Sequence, residues 1–306
     1  MNSCGPIDNS NENYRKYQVI PSATRAAKLR HLLERQCVTM PGAINALSAR
    51  LIEQMGFDAM YLSGAVLANS VGGMPDVGLM TLSESEAHSA AIARVTSIPI
   101  IADADTGYGE ADNAARTVQV LEQAGVSGLH LEDQVFPKRC GHLEGKELVE
   151  AHDFCRKIAT AKAAKTSEDF LLIARTDARG VVGIEETIRR ANMYVEAGAD
   201  AIFPEGLQSA DEFRQVASAV DTYLLANMTE FGTTPYLSVS DFAELGYNMV
   251  IFPVTLQRTA MKAMEDVLKL IRDTGSQEPH LDRMQTRQEL YDLLEYGGKV
   301  SAPAQR

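Results

Sequence analysis

Residues 99–142 read PIIADADTGYGEADNAARTVQVLEQAGVSGLHLEDQVFPKRCGH. The apolar run PIIADAD (99–105) ends in acids and passes into a Gly-containing loop. RTVQVLEQAG (116–125) follows, with apolar residues three and four apart, the spacing of one helix face. Ala-Gly-Val-Ser (124–127) then leads into a second apolar run, GLHLED (128–133), which again ends in acids. A Gly just past a helix end can take the left-handed conformation that stops it. The stretch therefore reads as strand, helix, strand, with charged residues gathered where the strands finish.

The same rhythm extends in both directions. Apolar runs recur at CVTMPGA (37–43), AMYLSGA (59–65), FLLIARTD (170–177), AIFPEG (201–206), YLLANMTE (223–230) and MVIFPVT (249–255). Many lack polar alternation, as expected of strands covered on both faces. The helix-ending signature recurs as Met-Gly-Phe-Asp (55–58), Ala-Gly-Ala-Asp (197–200) and Leu-Gly-Tyr-Asn (245–248). EETIRRANMYVEAG (185–198) repeats the helical spacing. Eight such strands alternating with helices predict a (β/α)8 TIM-type barrel over residues 23–256. A doubly wound open sheet is the alternative, but neither GxGxxG nor a P-loop follows any strand. Ser63, Asp103, Asp105, Glu132, Arg175, Asp177, Glu205, Asn227 and Thr229 all fall at or near strand C-terminal ends. A barrel builds its active site at that face.

Residues 1–22 are rich in Asn, Ser and charge and read as a mobile arm without chemistry. Residues 257–306 carry more helix than one closing element needs. The surplus helix, with Met284, Leu290, Leu293 and Leu294, is expected to bury its apolar side on a neighbouring subunit. The 306 residues carry a net charge of −12, so no global field holds nucleic acid or an anionic membrane. No run approaches the length of a transmembrane helix, and the polar start lacks a signal-peptide core. Cys4, Cys37, Cys140 and Cys155 form no CxxC pair and no disulfide framework. A cytoplasmic location is expected.

Asp103 and Asp105 stand two apart at a strand end, where alternation would point both to one face. Converging carboxylates need a cation or a shared proton, and oxygen ligands suit a hard divalent ion. The competing reading is a cap on the next helix. Glu132 adds an acid at the next strand end. Cys140 sits among Lys138, Arg139 and His142, and nearby positive charge favours the reactive thiolate. Zinc lacks ligands at suitable spacing. Arg175 ends an apolar strand and requires a carboxylate from the protein or a substrate. Asn227 and Thr229 add uncharged donors. Arg258 and Arg287, read alone, are solvated helix charges. The set suits a small, multiply carboxylated substrate.

These motifs resemble the isocitrate lyase/phosphoenolpyruvate mutase superfamily, most closely its bacterial 2-methylisocitrate lyases. The resemblance covers about residues 25–296. It rests on YLSG (61–64), DADTGYG (103–109), LEDQ (131–134), KRCGH (138–142), ARTDA (174–178), FPEG (203–206), LANMTEFGTTP (225–235) and MQTRQELY (284–291). It departs at Ala65-Val66 and in LEGKELV (143–149).

The resemblance implies a barrel whose last helix is exchanged between subunits, in dimers that pair into tetramers. It implies Mg²⁺, with Mn²⁺ as a substitute, on Asp103, Asp105 and Glu132, mostly through water. It places Cys140, Tyr61, Arg175, Lys138 and His142 at the chemistry, with KRCGH on a closing lid. Ser63, Gly64, Ala65, Asp76, Gly141, Glu205, Asn227, Thr229, Arg258 and Arg287 would contact substrate. The implied reaction is retro-aldol cleavage of 2-methylisocitrate to pyruvate and succinate, with Cys140 protonating the carbanion. Tyr61 and Asp76 are both candidates for the base. Phe203 stands where isocitrate lyases carry Trp, which leaves space for an extra methyl group. Lyases of 2,3-dimethylmalate and hydrolases of oxaloacetate are the neighbouring alternatives.

Overall fold

A computed structural model describes residues 20–139, 141 and 145–297. Cys140, His142 and most of the expected N-terminal arm lie outside the described residues. The first described helix, α1, spans Ser22–Leu33, so it takes in the last residue of the expected arm.

The described residues form eight parallel strands: β1 (Val38–Pro41), β2 (Met60–Leu62), β3 (Ile100–Asp103), β4 (Gly128–Glu132), β5 (Leu171–Thr176), β6 (Ala201–Pro204), β7 (Tyr223–Asn227) and β8 (Met249–Phe252). Each lies inside one of the apolar runs that predict it. Their order is β1-β8-β7-β6-β5-β4-β3-β2. A bridge from Gly42 to Tyr61 and the Ala43 amide on the Tyr61 carbonyl (2.9 Å) bring β1 to β2. The sheet is thus a nearly closed barrel.

Two apolar layers hold it. Met40, Ile101, Ile173, Phe203, Leu225 and Ile251 point inward and fill the barrel. Leu62, Leu129, Leu172, Ile202, Leu224 and Val250 point outward against the helix ring. This division is the period of two of a strand, applied to strands buried on both faces. Gly56, Gly125, Gly198 and Gly246, the glycines of the recurring signature, all have φ between 84° and 108°. An L side chain is disfavoured there, which is why the signature needs Gly.

At the strands' N-terminal end, Arg25 of α1 is 1% exposed. Among the described residues no carboxylate pairs with it directly. Its guanidinium donates instead to the carbonyls of Ile20, Gly125, Ala93 and Thr96. Ala93 closes the helix Leu82–Ala93, and Gly125 caps the following helix, Ala111–Ala124. The partial negative charge at two helix C-termini thus balances a buried cation. Burial pulls the Arg25 pKa down, against Glu53, which raises it.

Arg25→Met is expected to lower the unfolding free energy by about 3 kcal/mol or more, since charged hydrogen bonds are lost and carbonyls stay buried. Urea denaturation monitored by circular dichroism measures it. A loss of less than about 1 kcal/mol would show that water replaces the guanidinium.

Candidate active site

A cavity of about 810 Å³ opens at the C-terminal end of the strands. Tyr61, Ser63, Ala65 and Asp76 line it from the β2 side. Asp103, Gly141, Arg175 and Glu205 form its floor, and Asn227, Thr229 and Arg258 close the far side. Residues from six strand ends therefore meet in one place, although they span most of the sequence.

Arg175 is the centre. Pairing of β4, β5 and β6 sets Glu132 beside Arg175 and Arg175 beside Phe203. The guanidinium lies 3.0 Å from Glu132 Oε2 and 3.0 Å from Asp177 Oδ2, with Glu205 Oε2 at 3.7 Å. Its Cζ stands 5.2 Å from the centroid of the buried Phe203 ring. Burial works against the charge, but Asp177, Glu132 and Glu205 push the Arg175 pKa well above its ordinary value. Asn227 Nδ2 donates to Glu205 Oε2 at 3.0 Å, which uses one of its two N–H groups.

The acidic side differs in detail from the sequence expectation. Asp103 ends β3, but Asp105 has φ 46°, so strand alternation does not aim its side chain. A left-handed turn brings it to the same locus instead. A Cβ on Gly64 would stand 2.9 Å from Asp103 Oδ2 and 3.3 Å from Asp105 Oδ1, so both carboxylates close on the chain at this residue. Neither Asp caps the next helix, whose N-cap is Glu110. Lys138 Nζ lies 2.9 Å from Asp105 Oδ1 and also pairs with Asp76. Burial opposes the Asp103 charge, but His130, Lys138 and Arg175 hold its pKa down to about 2. Burial pushes Asp105 up to about 6 against Lys138, with Asp103 and Asp76 adding to the rise.

His130 is a site residue that the sequence reading missed. Tyr61 Oη lies 2.7 Å from His130 Nε2, and Asp103 Oδ1 stands 3.6 Å from the same nitrogen. Burial drives the imidazole pKa down to about 4, so it is neutral at pH 7. Burial and Asp103 hold the Tyr61 phenol well above its ordinary value. The signal was present: His130 lies two residues before Glu132 in one strand, hence on the same inner face.

The chain matches the phosphoenolpyruvate phosphomutase family over residues 29–272. A 2-methylisocitrate lyase from Aeropyrum pernix is 53% identical over 269 residues, 88% of this chain and 86% of that protein. The crystal structure of a 2,3-dimethylmalate lyase, described as a PEP mutase/isocitrate lyase superfamily member, superposes with a TM-score of 0.84 at 38% identity. It covers 92% of this chain and 93% of its own. An oxaloacetate acetylhydrolase with bound 3,3-difluorooxalacetate gives a TM-score of 0.84 at 36% identity, covering 89% and 93%. The chain belongs to the isocitrate lyase/phosphoenolpyruvate mutase superfamily.

Within this superfamily barrel, not every expected residue reaches the cavity. Arg287 begins the last helix, Arg287–Leu293, is exposed, and does not line the cavity of its own chain. Asp133, the next acid after Glu132 in sequence, turns away. It accepts from Thr176, Tyr194 and Arg190 in a separate buried network. Cys140 and His142 lie outside the described residues.

The donor set suits a divalent cation. Among the described residues, and counted as ionised, Asp76, Asp103, Asp105, Glu132, Asp177 and Glu205 face Lys138, Lys146 and Arg175, six negative charges against three positive, with the more exposed Arg258 on the far wall. Neither oxygen of Glu132 accepts a hydrogen bond among the described residues, although Arg175 is close. Burial pushes the Glu132 pKa well up, against Arg175 and Lys138, which lower it. The described residues contain no group of three His, Cys, Asp or Glu side chains already gathered as a cage. Mg²⁺ does not need one, because it keeps several waters and uses one or two carboxylates.

Mg²⁺ added to chelator-treated protein is expected to raise Tm. At a hundredfold excess over Kd the gain is about 2.7 kcal/mol. Asp103→Asn should abolish the shift. Scanning calorimetry with EDTA, Mg²⁺ and Mn²⁺ measures it, and an unmoved wild-type Tm in all three would remove the cation.

Proposed function

We propose that the protein is a Mg²⁺-dependent carbon–carbon lyase that cleaves 2-methylisocitrate to pyruvate and succinate, with Cys140 as general acid. The observation that carries the reading is the cavity itself. It gathers Arg175, Asn227, Thr229 and Arg258 as donors beside Asp103, within the family fold. A small polycarboxylate meets fixed cations there and an acidic locus fit for a divalent ion.

The chemistry is a retro-aldol cleavage. A base removes the proton from the substrate hydroxyl. That O–H electron pair becomes part of the pyruvate carbonyl as the C–C bond breaks. The C–C pair stays on the succinate carbon, conjugated with its carboxylate. The Cys140 thiol gives that carbon a proton and is recharged by the base's proton in the resting enzyme. Bound Mg²⁺ would supply positive charge to the developing carboxylate-stabilised anion and would lower the pKa of a neighbouring hydroxyl. Arg175 and its carboxylates need no reorganisation to do the same, which is how preorganised charge lowers a barrier.

Of the two candidates for the base, Asp76 lines the cavity as a carboxylate paired with Lys138, whereas burial and Asp103 hold the Tyr61 phenol protonated, so Tyr61 serves as a hydrogen-bond donor beside His130. Ser63 caps a short helix, Gly64–Leu67, whose first amide, of Gly64, donates to Asp103 Oδ2 at 3.0 Å, and Ser63 and Ala65 line the cavity where a substrate carboxylate would lie. Lys138 balances the acids, and His142 supports the thiol. Arg287 would come from a neighbouring copy.

The long helix Thr255–Thr274 has no buried residue, and Met261, Met264, Leu268 and Ile271 are exposed on it. That uncovered side supports a homotetramer of helix-swapped dimers. None of the helices among the described residues is long and apolar enough to cross a membrane. The likeness to 2-methylisocitrate lyases supports our reading of a cytoplasmic enzyme of propionate catabolism.

Cleavage of 2,3-dimethylmalate or hydrolysis of oxaloacetate is the second reading, favoured by the similar structures of those names. A panel of the three acids with Mg²⁺ and product identification separates them. Pyruvate and succinate are expected from 2-methylisocitrate, and a protein inert to it but active on another acid would overturn the substrate.

Cys140→Ser should cut turnover by orders of magnitude with fold and assembly intact, because a hydroxyl is a far weaker acid than a thiol. Near-normal kcat would remove Cys140 from the mechanism. Phe203→Trp should lower kcat/KM on 2-methylisocitrate about tenfold more than on isocitrate, the scale of one methyl in an apolar pocket. Both substrates assayed on both proteins measure it, and an unchanged ratio would mean that Phe203 does not read the methyl.

A further inference from the structure

Lys146 is a buried cation to which the chemistry above gives no role. It is 8% exposed, in a residue type almost never buried unless paired. The chain enters and leaves this region through a narrow neck. The Val135 amide donates to the Glu147 carbonyl at 2.8 Å, and the Val149 amide to the Asp133 carbonyl at 3.0 Å. Gln134 and Leu148 form an antiparallel bridge between them. From the edge of this neck the Lys146 stem runs inward. Its ammonium donates to Asp177 Oδ1 at 2.9 Å and to the Gly141 carbonyl.

Asp177 is the carboxylate that orients Arg175. Its Oδ2 accepts from Arg175 Nε at 3.0 Å, and its Oδ1 from Arg175 Nη2 at 3.2 Å. Oδ1 is therefore shared between Lys146 and Arg175. Gly141 lies directly on the same pair. A Cβ there would stand 2.5 Å from Arg175 Nη2 and 2.5 Å from Glu205 Cγ. Gly180, at the start of the next turn, faces the ammonium from behind, and a Cβ there would meet Lys146 Nζ at 3.3 Å. One ammonium thus ties a backbone carbonyl at the cavity wall to the anion that aims the central guanidinium.

We propose that Lys146 is a positioning residue that fixes Gly141 and the Asp177–Arg175 pair relative to one another. This rests on the reading that Gly141 and Arg175 face the substrate. Loss of the ammonium frees the Gly141 carbonyl and leaves Asp177 to Arg175 alone. Both groups then settle differently, and a misplacement of about 1 Å costs on the order of a hundredfold in rate. Binding changes less, because Arg175 and the cavity donors remain.

The test uses Lys146→Met, Lys146→Gln and Lys146→Arg in the full chain. Each is assayed for kcat and KM on whichever acid the wild type turns over. Backbone hydrogen exchange is followed in peptides covering 133–149. For Met and Gln the expected result is a kcat loss of about thirtyfold or more with KM within about threefold. Faster exchange in 133–149 accompanies it, and Arg recovers at least a tenth of wild-type kcat. Gln keeps the test open if Met does not fold. Normal kcat, or unchanged exchange, in a folded Met or Gln variant overturns the proposal. A wild type inert to all three acids would defeat the functional reading instead. Exchange then decides alone: faster exchange in Met or Gln that Arg restores supports the tie, and unchanged exchange overturns it.

Discussion

A guanidinium taken out of water must find its balancing charge inside the protein, and Arg175 finds it on neighbouring strands of a closed sheet. Glu132 comes from β4, Asp177 from just beyond β5, and Glu205 from just beyond β6. These positions are neighbours only because the strands pair in parallel register. Removing the cation would leave three carboxylates facing one another in a dry site, and each would then favour its protonated form. The cavity floor, the barrel register and the charge balance are one constraint.

That constraint explains why the acidic residues outnumber the cations. Arg175 and Lys138 keep Asp103 ionised, but Glu132 and Asp105 are left with unfavourable burial. Such frustration would be a defect in a purely structural core. At the mouth of a barrel it is an electrostatic environment that suits a cation, held by side chains that backbone ladders position. Arg25, at the opposite end, shows the contrast. Among the described residues its two terminal nitrogens donate to carbonyls and no carboxylate pairs with it directly.

The fold was legible because its signals are local and repeated. Eight apolar runs and four glycines at helix ends are properties of short segments, and each was realised where the sequence placed it. The site was legible in part for the same reason, since strand C-terminal ends are recognisable in sequence. Errors arose where geometry is not local. Asp105 reaches its neighbour through a left-handed residue, which alternation does not foresee. Asp133 sits beside Glu132 in sequence yet joins Arg190 and Tyr194, because adjacent strand residues face opposite sides.

The amino-acid order by itself determined the strand–helix alternation, the barrel class and the set of polar residues at the strand ends. Periodicity and backbone preference act over a few residues and need no partner. The tertiary structure decided which of those residues share charge: that His130 stands between Tyr61 and Asp103, that Lys146 reaches Asp177, and that Arg287 stays out of its own chain's cavity. Those are distances between segments far apart in sequence, and only closure of the sheet fixes them.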